Sequence, residues 1–317
     1  MPTYRSQNEV KRSFDTVYQR ETPHGYLKEM AGLGYQIAEQ ARPYCVAAAS
    51  LVREENPGWP IQMLDVGCSY GIGAAFIKYG VTFEELASFY QSRAPRDYAA
   101  CTAAMRTWLN VTAPLVDMSV VGLDVSANAV QFALDAGLID GGISRNLEEE
   151  DLTADEQAWV SGCSLLVCTG AIGYIGKPTF DRILRHIGKN KTNGSGPVAL
   201  MTILRMFDKS EVQASFESHG WQFRQIVGAR LPQRAFADAE EQEGVIAKLQ
   251  AIGVDPEGWE SHGVLYADLY AAARPEMLSK VEATLKQVAE DQSPPLFAPH
   301  VAVATARETA DLLAMAD

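Results

Sequence analysis

Between residues 65 and 73 the chain reads Asp65-Val66-Gly67-Cys68-Ser69-Tyr70-Gly71-Ile72-Gly73, an acid followed by a run of small residues. Small residues let a backbone turn tightly and approach a ligand closely. Amides that lead into a helix N-terminus favour negative charge. The pyrophosphate-cradling pattern GxGxxG is absent, because counting from Gly67 puts Ser69 and Ile72 at the second and third glycine positions. A Walker loop is also excluded, since no GK[ST] follows. Farther along, Val121-Gly122-Leu123-Asp124-Val125-Ser126 sets a second acid at the end of an apolar run. A carboxylate there can accept two hydroxyl donors at once.

The other chemistry-bearing residue types are scattered. Cys45, Cys68, Cys101, Cys163 and Cys168 contain no CxxC pair, which argues for reduced thiols and against a disulfide framework or zinc ribbon. His24, His186, His219, His262 and His300 show no metal-ligand spacing, so no metal is expected. The charge balance, 27 Lys and Arg against 40 Asp and Glu, gives −13 and repels phosphate backbones. No run approaches the ~20 apolar residues of a transmembrane helix, and the start MPTYRSQNEVKRSFD lacks a signal-peptide core. A cytoplasmic protein with a small-molecule substrate, no nucleic acid and no membrane partner is expected; a homodimer stays open.

These residues need a scaffold, and the hydrophobic pattern specifies one. A chain of 317 residues with 47% hydrophobic content suffices for a large core. Tyr26, Met30, Leu33 and Ile37 follow helical spacing, so residues 18–54 read as helical and residues 1–58 as an N-terminal helical cap. The turn Asn56 to Pro60 leads into the apolar run Ile61 to Val66, the first strand of a βα unit. The helix Ala74 to Ile77 follows the small-residue loop, and the stretch Val81 to Pro114 is too long for a plain connection and reads as an inserted pair of helices, spanning about 81–115.

Next come the strand Ser119 to Asp124, Ser126 as a helix N-cap, and a helix through Ala136 stopped by Gly137. Cys163 to Thr169 and Pro197 to Leu204 are further buried strands, separated by a helix from Thr179 to Gly188. Gln222 to Val227 and Val264 to Ala272 form a closing pair around a charged helix, Asp238 to Ile252. Apolar runs alternating with helices describe an α/β, doubly wound, mostly parallel sheet, here over residues 59–275, with a C-terminal helical segment over 276–317. Ligands bind such sheets at the carboxyl ends of the strands.

The loop resembles motif I, [DE]-x-G-x-G-x-G, of class I S-adenosylmethionine (SAM)-dependent methyltransferases, with Asp65, Gly67 and Gly71 matching and Ser69 in the middle glycine's place. The resemblance runs from about Met63 to Tyr174 and implies a seven-stranded Rossmann-like methyltransferase fold with SAM as cofactor. It implies that Asp65, Gly67, Cys68, Ser69, Tyr70 and Gly71 lie against the aminocarboxypropyl arm. Asp124, with Val125, would hold the ribose hydroxyls, and Asn146 with Leu147 would meet the adenine. Thr169 and Gly170 open the loop Cys168 to Tyr174, which in this family sits beside the transferable methyl; an Asn-Pro-Pro-Tyr sequence is missing from it.

A sulfonium methyl needs a nucleophile held in line and little covalent help. Tyr70 and Tyr174 are candidates near the methyl, and Tyr26 and Tyr35 could close over it, with packing the favoured reading for Tyr35; Tyr174 and Tyr26 are the catalytic candidates. Arg205 is the candidate acceptor ligand after the fifth strand, with Arg230, Gln233 and Arg234 after the next. An arginine fork would suit an amino-acid-like acceptor; pairing with Asp208 or Asp238 is the competing reading. His262 and Tyr266 are weaker candidates. The leading expectation is methyl transfer to a small polar acceptor with S-adenosylhomocysteine (SAH) as product. The alternatives are a SAM cyclase forming azetidine-2-carboxylate with release of methylthioadenosine, a nucleotide-binding oxidoreductase, and a non-catalytic SAM-binding protein docking through Leu312, Leu313 and Met315.

Overall fold

The computed structural model describes residues 20–188 and 196–292. Seven strands form one sheet in the order β3-β2-β1-β4-β5-β7-β6. β1 (Gln62–Val66), β2 (Ser119–Asp124), β3 (Gly141–Ser144), β4 (Leu165–Thr169) and β5 (Val198–Leu204) run parallel. β7 (Val264–Ala273) is antiparallel to both β5 and β6 (Gln222–Ala235). The central strands are apolar runs because helices cover both faces: Met63, Leu64 and Val66 of β1 and every residue of β5 are buried.

The helices start where the sequence places side-chain acceptors. Thr82 and Glu85 form a capping box at α4 (Phe83–Ser92), Asp97 caps α5 (Tyr98–Asn110), and Ser126 caps α6 (Ala127–Asp135). A second capping box, Thr153 with Glu156, opens α7 (Ala154–Gly162), and Asp238 caps α10 (Ala239–Ala251). Each such cap contributes ~1 kcal/mol. α3 (Ile72–Tyr79) follows the small-residue loop, and α8 (Lys177–Leu184) and α9 (Ser210–Ser218) follow β4 and β5. The inserted pair of helices expected between 81 and 115 is α4 and α5.

The stretch read as helical carries two helices, α1 (His24–Gly32) and α2 (Ile37–Glu55), separated by a linker at 33–36 that pairs with β6. Gln36 N–H donates to the Gln233 carbonyl at 2.8 Å, and Ala235 N–H donates to the Leu33 carbonyl at 2.8 Å. These long-range bonds satisfy the backbone groups that the helix break frees. β6 also runs on to Ala235, well past Val227, so Arg230, Gln233 and Arg234 lie within the strand and not after it. α2 packs over β4, β5 and β6, and α11 (Pro275–Asp291) lies against α2 and β6. Beyond 292, including Leu312, Leu313 and Met315, the chain lies outside the described residues. No described helix is long and apolar enough to cross a membrane.

Candidate functional site

The loop after β1 turns over the end of β2. Gly67 and Cys68 N–H groups both donate to the Leu123 carbonyl, at 2.8 and 3.1 Å, and Ser69 N–H donates to Asp124 Oδ2 at 2.9 Å. Asp124 Oδ1 accepts from Ser126 N–H at 2.9 Å. Gly67 has φ 78°, and a Cβ on it would stand 2.4 Å from Ala171 Cβ, so the loop also presses against the loop after β4. Ser69 adopts φ 48°, the one positive φ of a non-glycine residue among the described residues. A serine held in the left-handed region costs ~1–3 kcal/mol and persists where the surroundings impose it. Here the Asp124 hydrogen bond supplies part of that constraint.

The site holds unpartnered polar atoms. Asp65 Oδ2 and Ser69 Oγ are buried without a hydrogen-bond partner. Burial, then the negative charge of Asp124, pushes the Asp65 carboxyl up to about 7. Burial also raises Asp124, opposed by the N–H groups of Ser126, Ser69 and Val125. Val125 itself points outward and is 65% exposed. Cys68 is buried, and burial followed by the two carboxylates holds its thiol well above the usual range.

The helical cap closes over this loop with aromatic rings. Tyr70 is fully buried, and its hydroxyl donates to the Arg20 carbonyl at 2.7 Å. Tyr26 is buried with its ring centroid 6.0 Å from that of Tyr70 and 6.4 Å from that of Tyr35. Tyr35, for which packing was the favoured reading beside a place over the methyl, has its hydroxyl bonded to that of Tyr26, and Asp65 and Cys168 are close enough to raise it further after burial. Tyr174 lies on the turn between Ile172 and Ile175 and is 39% exposed.

At the end of β4, Thr169 is half-buried, and Gly170 N–H donates to Thr202 Oγ1 at 3.1 Å. A Cβ on Gly170 would lie 3.3 Å from Tyr35 Oη and 3.5 Å from both Gln233 Nε2 and Ile37 Cγ2. Sequence separations of 135 and 63 residues hid that meeting, since Gly170 minus Tyr35 and Gln233 minus Gly170 give those spans. Asn146 and Leu147 follow β3 as expected. The Asn146 side-chain oxygen accepts from Glu148 N–H at 3.1 Å, and Leu147 is buried with its carbonyl taking Arg182 Nη1 at 2.7 Å.

The arginines do not form an acceptor fork. Arg205 pairs with Glu260, and its Nη2 donates to the Asp255 carbonyl at 2.7 Å. Arg230 Nε bonds Asp268 at 2.7 Å. Arg234 and Glu241, both buried, make a two-pronged pair at 2.6 and 2.9 Å. The pairing reading therefore holds, with Glu260, Asp268 and Glu241 as partners in place of Asp208 and Asp238. His262 ends a short 3-10 turn, Glu260–His262, next to this cluster.

A seven-stranded sheet whose β7 alone runs antiparallel, with a turn after β1 meeting an acid after β2, decides the architecture. The fold is the Rossmann-like methyltransferase fold. No protein-family model matches the sequence, and no curated protein matches it. Among solved structures the chain is similar to a TehB-like SAM-dependent methyltransferase from Corynebacterium glutamicum, at 12% identity and TM-score 0.35, over 71% of this chain and 86% of that one. It is similar to the plantazolicin methyltransferase BpumL in complex with SAH, at 11% identity and TM-score 0.37, over 85% and 97%. A third is phosphoethanolamine N-methyltransferase 2 of Haemonchus contortus, at 13% identity and TM-score 0.39, over 87% and 61%. At these scores the superpositions carry no weight, and the Rossmann-like methyltransferase fold rests on strand order and direction.

Proposed function

We propose that the protein is a SAM-dependent methyltransferase acting on a small polar acceptor. The observation that carries this reading is the meeting of the β1 loop with Asp124 across neighbouring strand ends, Ser69 N–H to Oδ2 at 2.9 Å, beside two buried polar atoms that lack partners.

The residues present fit the cofactor. Asp65 Oδ2 and Ser69 Oγ call for a donor such as an ammonium. Asp124 takes backbone N–H groups from Ser69, Val125 and Ser126 and keeps a lone pair for a ribose hydroxyl. A cationic ligand offsets the repulsion between Asp65 and Asp124. When bound, SAM supplies an electrophilic methyl on a cationic leaving group. Tyr26 and Tyr70 would exclude water, and their ring faces favour a nearby cation. Fixing the nucleophile in line supplies most of the acceleration, which is the task of the residues around Gly170. The net charge of −13 supports a small acceptor over a nucleic acid.

Titration calorimetry with SAH tests the cofactor reading: a saturable heat is expected, and its absence overturns it. Incubation with SAM alone separates the chemistry. Methylthioadenosine release without an acceptor would replace methyl transfer by cyclisation.

A further inference from the structure

Gln233 sits on an irregularity of β6. Pro232 stands opposite Tyr266 and Arg234 opposite Leu265, so Gln233 is the extra residue of a β-bulge. A bulge breaks the strand's alternation and re-aims a side chain. The bulge is pinned by the 33–36 linker, through Gln36 N–H on the Gln233 carbonyl and Ala235 N–H on the Leu33 carbonyl. The side chain reaches Gly170, its Nε2 being 3.5 Å from the position of a Cβ there, beside Tyr35 Oη. Gln233 is 3% exposed, and its Oε1 is buried without a hydrogen-bond partner. A folded chain seldom leaves such an acceptor unmet unless another molecule meets it.

We propose that Gln233 positions the acceptor substrate and that this substrate is an amine, one of whose N–H bonds donates to Oε1. The inference rests on the SAM reading above. The place is right, because Gly170 directly follows β4 and the same loop touches the β1 loop through Ala171 and Gly67. The polarity is right as well. The unmet atom here, Gln233 Oε1, accepts hydrogen bonds and donates none. Arg205, Arg230 and Arg234, which could have held a carboxylate, are each committed to an acid. An anionic acceptor would meet Asp65 and Asp124 without compensation from those guanidiniums.

An amine that has given its ammonium proton to water before binding can donate N–H to Oε1 while its lone pair stays free. That pair forms the new N–C bond to the methyl carbon, the C–S bond breaks with its electrons going to sulfur, and the methylammonium formed gives its proton to water. An alcohol also donates a hydrogen bond, but it needs a base to become a nucleophile, and a glutamine amide removes no proton.

The test uses the full chain, the variants Gln233→Leu and Gln233→Glu, and SAM labelled in the methyl group. The probes are phenethylamine, ethanolamine, putrescine and piperidine, with alcohols and carboxylates of matched skeleton. Label is expected in amines alone. Gln233→Leu should raise the amine KM at least tenfold and leave the SAM KM within twofold. Gln233→Glu, which keeps an acceptor oxygen, should stay within threefold of wild type for the amine. Label entering alcohols or carboxylates but no amine, no amine labelled by a protein that binds SAH, or an unchanged KM in the Leu variant would each overturn the proposal. If the Leu variant fails to fold, a tenfold rise of the amine KM in the Glu variant does so. Wild-type protein that fails to bind SAH overturns the cofactor reading instead, so the two failures are distinct.

Discussion

Ser69 and Asp124 are 55 residues apart in the chain, yet the Ser69 amide donates to Asp124 Oδ2 at 2.9 Å and so joins the first loop to the end of the second strand. The same carboxylate anchors the first turn of α6 through Ser126 N–H. Asp124 thus shapes the loop that it faces, and it holds Ser69 in a backbone region that serines rarely occupy.

Replacing Asp124 removes both the loop anchor and the diol acceptor. Asp124→Ala should weaken SAH binding by ~1–3 kcal/mol in calorimetry. Asp124→Asn, which keeps one acceptor oxygen, should lose less. Equal affinity for wild type and the Ala variant would remove Asp124 from the cofactor site.

Asp65 gives the protein a pH dependence of defined sign. Its folded-state pKa of about 7 lies above the unfolded value, so the folded state binds more protons between ~4 and 7 and stability falls as pH rises through that window. Asp65→Asn should flatten this slope in denaturant titrations of the ligand-free protein. The ammonium of the bound ligand favours the ionised carboxylate, so SAH should bind more tightly at pH 8 than at pH 5.5. A pH-independent SAH affinity contradicts the placing of Asp65 beside that ammonium.

Gly67→Ala tests the close approach of the two loops. The added methyl would meet Ala171 Cβ at 2.4 Å and also carry φ 78°. A loss of ~1–3 kcal/mol in unfolding free energy is expected from the backbone strain alone, together with weaker SAH binding. A variant as stable as wild type with unchanged affinity would show that the loop has room there.

The buried pair Arg234 and Glu241 anchors the strand next to Gln233. Arg234→Met strands a buried carboxylate and should cost ~3–5 kcal/mol by denaturant unfolding. The double change Arg234→Met with Glu241→Leu should recover most of that. A double variant no more stable than the single one would place the cost in packing and not in the unpaired charge.

The elements that carry chemistry through local pattern were legible in the sequence. β2 begins and ends where its apolar run does, Ser126 caps α6, and the small-residue loop sits between β1 and α3. The partners of Arg205, Arg230 and Arg234 were not legible, because any of 40 acids could have paired with them. The break at 33–36, which carries Tyr35, was not legible because it depends on bonds to β6 some 200 residues away, Gln36 to Gln233 being 197 apart. The length of β6 was underestimated because a bulged, charge-bearing strand has no clean period of two.

Hydrophobic runs, turn residues and caps act over a few positions, so the amino-acid order alone determined a doubly wound sheet and marked the loop at 65–73 and the acid at 124 as its ligand-binding end. Only the folded chain decided which side chains surround Gly170, since Tyr35 and Gln233 arrive there from a helix linker and a bulge. Contacts of that kind follow from the packing of the whole core and leave no periodic trace in sequence.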